Sequence, residues 1–299
     1  MGVSRRIILG WIGQITQIDI ALGVALLVSA VAALATGHRG GRFRGLLGWV
    51  GIWVVYAVVL VALSRTHPWF SLSLLALLMF ASLRSFFYLV PLRPKDRGAI
   101  GVAYLAIPIA LYPGFTGSID TFLATVPILL FLLFPALLAL GRGQTGFLDS
   151  VGRVMLGVLT FVFCPAHLAL LIHWEQAGLL ELYGVLVLAA ELPQRLVAGR
   201  SAQGPGWLRP SLGLLFSIVV TAAAGYWLGP LCGLEAEDGA RAGLFVAIAV
   251  AMGRLVAEAV TRDIGQGATA NRLRAALLDR AFPAVYAAPV FFHYLNHFA

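Results

Sequence analysis

The chain has 299 residues, of which 60% are hydrophobic and 11% charged, and its mean hydropathy is +0.91. Thirteen acids and 21 bases cannot cover the surface of a water-soluble protein of this length, and so apolar a chain cannot stay disordered. A soluble enzyme is therefore excluded, and the net charge of +8 is no nucleic-acid footprint, because the bases stand singly or in threes between apolar runs.

A bilayer core about 30 Å thick is crossed by about twenty helical residues. Apolar runs of that order fall at 18–37, 45–64, 68–90, 99–114, 118–140, 154–174, 177–197, 210–229, 241–260 and 281–297. They predict an all-α, polytopic helical bundle with about nine to ten transmembrane helices, since a helix satisfies its own backbone in lipid. Residues 1–17 read as an interfacial lead-in: Arg5 and Arg6 precede only a brief apolar stretch before Gln14, Gln17 and Asp19, which is no convincing cleavable signal. No tandem repeat or soluble appendage is visible, so residues 1–299 are expected to form a single integral membrane domain. Cys164 and Cys232 lie far apart in apolar surroundings and suggest neither a disulfide framework nor a zinc site.

The loops alternate in charge. One set carries Arg39, Arg42 and Arg44; Arg93, Lys95 and Arg97; Arg142 and Arg153; Arg195, Arg200 and Arg209; and Arg262, Arg272, Arg274 and Arg280. The opposite set has Arg65 and Arg241, with the acids Glu235, Glu237 and Asp238. The positive-inside rule places the first set in the cytoplasm, with Arg5 and Arg6 outvoted by the rest of the distribution.

Ionisable groups inside spans are costly and therefore candidates for function, or for pairs that glue helices together. Arg84 stands in the third run, and Glu181, Glu191 and Arg195 in or beside the seventh. Arg254, Glu258 and Arg262 follow at intervals of four, a cation-anion-cation ladder on one helix face. The last cytoplasmic loop adds Asp263, Gly265, Gly267, Arg272, Arg274, Asp279 and Arg280. Arg pairs with phosphate bidentately and Asp can hold Mg²⁺, so the loop suits a phosphate-bearing substrate; a basic loop that sets topology and touches anionic lipid is the plainer reading. Cys164, His167 and His173 in or near the sixth run, and His293 and His297 near the C-terminus, read as packed or interfacial groups beside the aromatic cluster Phe291, Phe292 and Tyr294.

The segments Arg262-Asp263-Ile264-Gly265, Leu278-Asp279-Arg280 and Ala287-Ala288-Pro289-Val290-Phe291-Phe292-His293 resemble the C-terminal signature of the phosphatidate cytidylyltransferases, or CDP-diacylglycerol synthases. Weaker similarity reaches back through Gly253, Gly213, Gly199-Arg200 and the segment from Gly146-Phe147-Leu148 through Phe161-Val162-Phe163, so the resemblance covers roughly the C-terminal half, with residues 175–299 expected to be cytidylyltransferase-like. The resemblance implies a multi-pass enzyme of phospholipid biosynthesis with its site facing the cytoplasm. Such an enzyme joins CTP to phosphatidic acid and releases pyrophosphate and CDP-diacylglycerol. It further implies Asp279 and Arg280 as catalytic groups, Asp279 and Asp263 as ligands of Mg²⁺, and Arg262, Arg209 and Arg280 on the substrate phosphates. An in-line nucleotidyl transfer needs such cations to neutralise the triphosphate.

The chain departs from that pattern at several carboxylates. The second aspartate of the family's L-D-R-x-D falls at Phe282, the aspartate of its K-D near Gly267-Ala268, and the aspartate after Gly253 at Arg254; Thr261 replaces a lysine. The family's earlier N-D pair aligns with Glu191-Leu192, and its K-T-x-E-G element aligns best with Arg209-Pro210-Ser211-Leu212-Gly213, where a cation remains and the acid does not. Exchanging a metal ligand for arginine reverses a charge in a low-dielectric pocket, so an Arg254–Glu258 ion pair is expected in the former metal position, with Phe282 closing it. Three readings result: a catalytically impaired nucleotidyltransferase, a noncatalytic relative that binds anionic phospholipid as partner or regulator of lipid synthesis, and a transporter. The expected partners are the membrane, phosphatidic acid, CTP if the chain is active, and a second copy or a lipid-synthesis protein, with no nucleic acid. The resemblance argues against the transporter.

Overall fold

The computed structural model describes residues 17–37, 43–140, 146–174, 178–198, 208–264 and 272–298. The described residues are helical, with no strand among them, as the backbone's need for internal partners in lipid dictates. In chain order the helices are α1 (Gln17–Gly37), α2 (Phe43–Arg65), α3 (Pro68–Leu89), α4 (Gly98–Thr116), α5 (Ile119–Ala139), α6 (Phe147–Val158), α7 (Cys164–His173), α8 (Leu179–Ala198), α9 (Leu208–Leu228), α10 (Ala236–Ile264) and α11 (Arg272–Phe298). Each of the ten apolar runs is helical. Residues 1–16, which hold most of the expected lead-in, lie outside the described residues.

Five segments are long and apolar enough to cross a membrane: Pro68–Leu89, Pro94–Thr116, Phe147–His173, Ser211–Cys232 and Ala236–Ile264. Their outer faces carry exposed Leu105, Tyr112, Trp227 and Leu255, a surface that a water-soluble monomer does not present. The protein is therefore a membrane-embedded helical protein.

The chain divides into two compact units, the first made of Met1–Ser64 and Gln176–Leu244, the second of Arg65–Glu175 and Phe245–Ala299. Residues 175–299 are thus shared between them.

In the first unit α8 is the central helix, packed on α9 and α1. Leu22, Ala57 and Val185 form a small core there. Both carboxylates of α8 are fully buried. Glu191 accepts from Arg195 at 2.8 Å on one oxygen and from the Trp53 indole at 2.8 Å on the other, and Glu181 accepts from the Ser64 hydroxyl. One turn on, Gln194 donates to Ser217 (3.1 Å), whose own hydroxyl donates to the Ala190 carbonyl (2.8 Å). The ionisable groups of this helix are thus held by partners, which lets a helix with two acids be enclosed.

The same unit contains a glycine crossing. Gly225 and Gly229 on and just beyond α9 face Gly239 on α10, while Gly243, one turn further along α10, faces Thr221 and Ala222 of α9, so a G-x-x-x-G pattern on each side lines the crossing. A Cβ on Gly225 would overlap the Gly239 carbonyl oxygen, one on Gly239 would overlap that of Gly225, and one on Gly243 would overlap the Thr221 carbonyl oxygen.

In the second unit α7 packs against α4 and α11, and α4 also meets α3 and α5. The rod of α6 and α7 is continuous through a π-helical turn at Leu159–Phe163, where the Cys164 amide donates to the Leu159 carbonyl. Pro165 follows directly, and a proline ring would strike the carbonyl four residues earlier in a regular α-helix; the widened turn relieves that clash. Gly117 ends α4 in the left-handed conformation (φ 68°) that favours glycine, its amide donates to the Pro113 carbonyl, and a Cβ there would strike the His173 ring. The two cysteines are free thiols, one in each unit.

Candidate functional site

The retained signature residues belong to the second unit, on the last turn of α10 and the first turns of α11. The α10 ladder forms, but unevenly. Arg262 donates to Glu258 at 3.1 Å, while Arg254 stands 3.7 Å from the other oxygen of the same carboxylate. Glu258 is half exposed and Arg262 largely exposed, whereas Arg254 is mostly covered. The carboxylate expected to neutralise Arg254 therefore leans toward Arg262. One turn before, the Thr261 hydroxyl closes on the Ala257 carbonyl at 2.8 Å. Asp263 is exposed at the end of the helix.

Across from this turn, Asp279 and Phe282 project from α11. Together with Leu89, Val260, Thr261 and Ile264 they line a notch large enough for one water-sized group. Its walls do not include Arg254 or Glu258, so the structure brings Asp279 and Phe282 to Thr261 and leaves the ion pair outside. Phe282 is buried and packs edge-on against Phe161, with ring centroids 5.0 Å apart, and against Phe86 at 6.5 Å. The position where the family pattern carries its second aspartate is thus part of an aromatic core. Gly253 permits this packing, because a Cβ there would lie 2.8 Å from the Phe282 carbonyl oxygen and from the Pro283 Cα. Arg280, next to Asp279, is partly buried.

Among the described residues no three His, Cys, Asp or Glu side chains gather where one metal ion could be held. The loop from Gly265 to Asn271, which includes the Gly267-Ala268 position, lies outside the described residues. Arg209 opens α9 in the first unit and its side chain also lies outside them. The candidate residues that can be described together are therefore Arg254, Glu258, Arg262, Asp263, Asp279 and Arg280.

One charged cluster was not separable from its surroundings in the sequence. Asp96, set between Lys95 and Arg97 and 4% exposed, accepts from the Ser150 hydroxyl at 2.5 Å and from Arg93 Nε at 2.6 Å. Arg93 Nε also reaches Ser150 at 3.0 Å. This buried carboxylate ties the short 3₁₀ turn Pro94–Asp96 to the first turn of α6. Arg153 braces the same loop by donating to the Pro91 carbonyl at 3.0 Å.

No family model and no solved structure matches the chain. It is similar to the uncharacterized protein YnbB of Escherichia coli (strain K12), with 26% identity over 266 residues, 83% of this chain and 85% of that one. The similarity covers most of both chains and is not confined to the C-terminal signature.

Proposed function

We propose that this is a multi-pass protein of phospholipid metabolism, of the phosphatidate cytidylyltransferase type and with impaired turnover. In this reading nine to ten helices cross the membrane, and the end of the second unit that bears Asp279 faces the cytoplasm. The observation that carries it is the order and spacing of Arg262-Asp263, Leu278-Asp279-Arg280 and the Ala287–His293 tail, together with the placement of Asp279 beside the end of α10. Arg262 and Arg280 would hold the phosphates of phosphatidic acid and CTP, because guanidinium forks match phosphate oxygens. Asp279, with Asp263, would hold Mg²⁺, which supplies charge neutralisation at the triphosphate. Turnover is low because Phe282 and Arg254 stand where further acids would be needed.

The test is transfer of labelled CTP into CDP-diacylglycerol by the purified protein with phosphatidic acid and Mg²⁺. The reading expects formation above that of protein-free vesicles, lost in Asp279→Ala. A second reading is favoured by the ladder on α10, in which one acid is shared by two arginines: a noncatalytic protein that binds anionic phospholipid and acts as partner or regulator of lipid synthesis. It expects no CDP-diacylglycerol from either protein, with phosphatidic acid binding retained in Asp279→Ala.

A further inference from the structure

At the other end of α11, about 21 Å along the helix from Asp279 at 1.5 Å per residue, the second unit holds a file of three histidines. His297 is exposed, His293 half-buried and His167 fully buried. Their ring centroids are 6.0 Å apart from His297 to His293 and 5.2 Å from His293 to His167. His167 belongs to α7, one turn beyond the π-helical segment, and its Nδ1 lies 3.0 Å from the Phe163 carbonyl and 3.1 Å from that of Cys164. Carbonyls only accept, so Nδ1 carries the hydrogen and Nε2 is a bare imine nitrogen. That Nε2 is buried and has no hydrogen-bond partner.

Among the described residues no other donor reaches it. Phe122 of α5 and Phe163 of its own rod stand edge-on to the imidazole at 4.7 and 4.8 Å, and Phe292 of α11 at 5.7 Å. The titratable group facing His167 from α11 is His293, and the one in its own preceding turn is Cys164. His293 in turn faces His297. The exposed Asp120 opens α5, and His173 ends α7 beside Gly117. Leaving a buried acceptor unmade is costly in free energy. A structure that maintains one beside a second imidazole and a route to the surface holds it for a transient donor.

We propose that His293 and His167 form a proton-binding imidazole pair, loaded from water through His297. In the loading step an N–H bond of protonated His297 breaks and its proton forms an N–H bond on the free ring nitrogen of His293. His297 is left neutral to be reprotonated by hydronium, and His293 turns an N–H onto Nε2 of His167. The positive charge stays on the half-buried ring, where solvation is better. His293 and Asp279 lie on one helix, α11, with Pro283 and Pro289 between them, so proton binding at one end acts on the same helix that positions the candidate site at the other. The ligand is the proton of the aqueous phase at this face, and the role is that of a pH-responsive tie between α7 and α11.

The test is nitrogen-15 NMR of the histidine-labelled full-length protein in nanodiscs, as pH falls from about 8 to about 5. The Nε2 signal of His167 is expected to leave the bare-imine range for that of a hydrogen-bonded acceptor, in step with the titration of His293. It should remain bare in His293→Phe and be bonded at every pH in His293→Gln, whose amide donates without titrating. An Nε2 signal that stays bare while His293 titrates, or that shifts alike in wild type and His293→Phe, overturns the proposal. If His293→Phe does not fold, as seen by lost helical circular dichroism, the wild-type and His293→Gln titrations decide it.

Discussion

Gly239→Leu is expected to destabilise the protein by on the order of 3 kcal/mol or more, or to abolish folded protein in the membrane altogether. Overpacking ordinarily costs about 1–3 kcal/mol because side chains can shift to make room. Here the obstacle is backbone: the first atom of any side chain on Gly239 would overlap the Gly225 carbonyl oxygen, and Gly229 Cα lies 3.1 Å away. The two helices must separate, which forfeits the close approach that holds them without a hydrophobic driving force. Gly101 provides the contrast. It lies within α4 with nothing within 4 Å of a built Cβ, so Gly101→Ala should be neutral or stabilising by up to about 1 kcal/mol. Denaturant or thermal midpoints of the two variants in detergent check both expectations.

Asp96→Ala carries the second large effect. A buried ion pair is weak evidence of net stability, but removing one member strands the other, at about 3–5 kcal/mol. Arg93 keeps a quarter of its side chain exposed, which places the expected loss near the lower end, about 3 kcal/mol. Ser150, 1% exposed, loses its acceptor in the same change. Asp96→Asn should fall between, since the amide oxygen still receives the Ser150 hydroxyl while the charge on Arg93 goes unbalanced. The shift in unfolding midpoint should shrink in the Arg93→Met/Asp96→Ala double variant, where neither charge remains.

These two sites show where sequence is informative and where it is not. The all-helical fold is legible because a helix long enough for the bilayer needs an apolar run that a linear reading measures directly, and five segments are long and apolar enough to cross. The partner of Asp96 is not legible. Asp96 lies within the basic triplet Arg93, Lys95 and Arg97, and Ser150 is 54 residues away on the first turn of α6. Trp53 and Glu191 are 138 residues apart, and their hydrogen bond is likewise a product of tertiary packing. The Glu191–Arg195 pair is legible, because spacing of four on a helix brings the two together without help. The glycine crossing is intermediate: both G-x-x-x-G patterns are present in the sequence, but in a chain with 33 glycines nothing marks which two face each other.

The candidate site divides the same way. Motif order places Asp279 and Arg280 one after another at the head of α11, and the i, i+4 rule places Glu258 between two arginines. What spacing does not reveal is that Glu258 favours the outer one, Arg262, or that Phe282 turns away from polar chemistry into contact with Phe86 and Phe161. The histidines follow the same logic. His293 and His297 are related by one helical turn, whereas His167 joins them only through the packing of α7 on α11.

The proposed function requires recognition of a phospholipid phosphate by the arginine-bearing end of the second unit. Its most direct measurement is the affinity of the purified protein in nanodiscs for phosphatidic acid relative to phosphatidylcholine, in wild type and in Arg262→Ala/Arg280→Ala. A clear preference for phosphatidic acid is expected, and the double substitution should remove it while the protein stays folded. Equal affinity for the two lipids, or a preference for phosphatidic acid that survives the loss of both arginines, would contradict the proposed function.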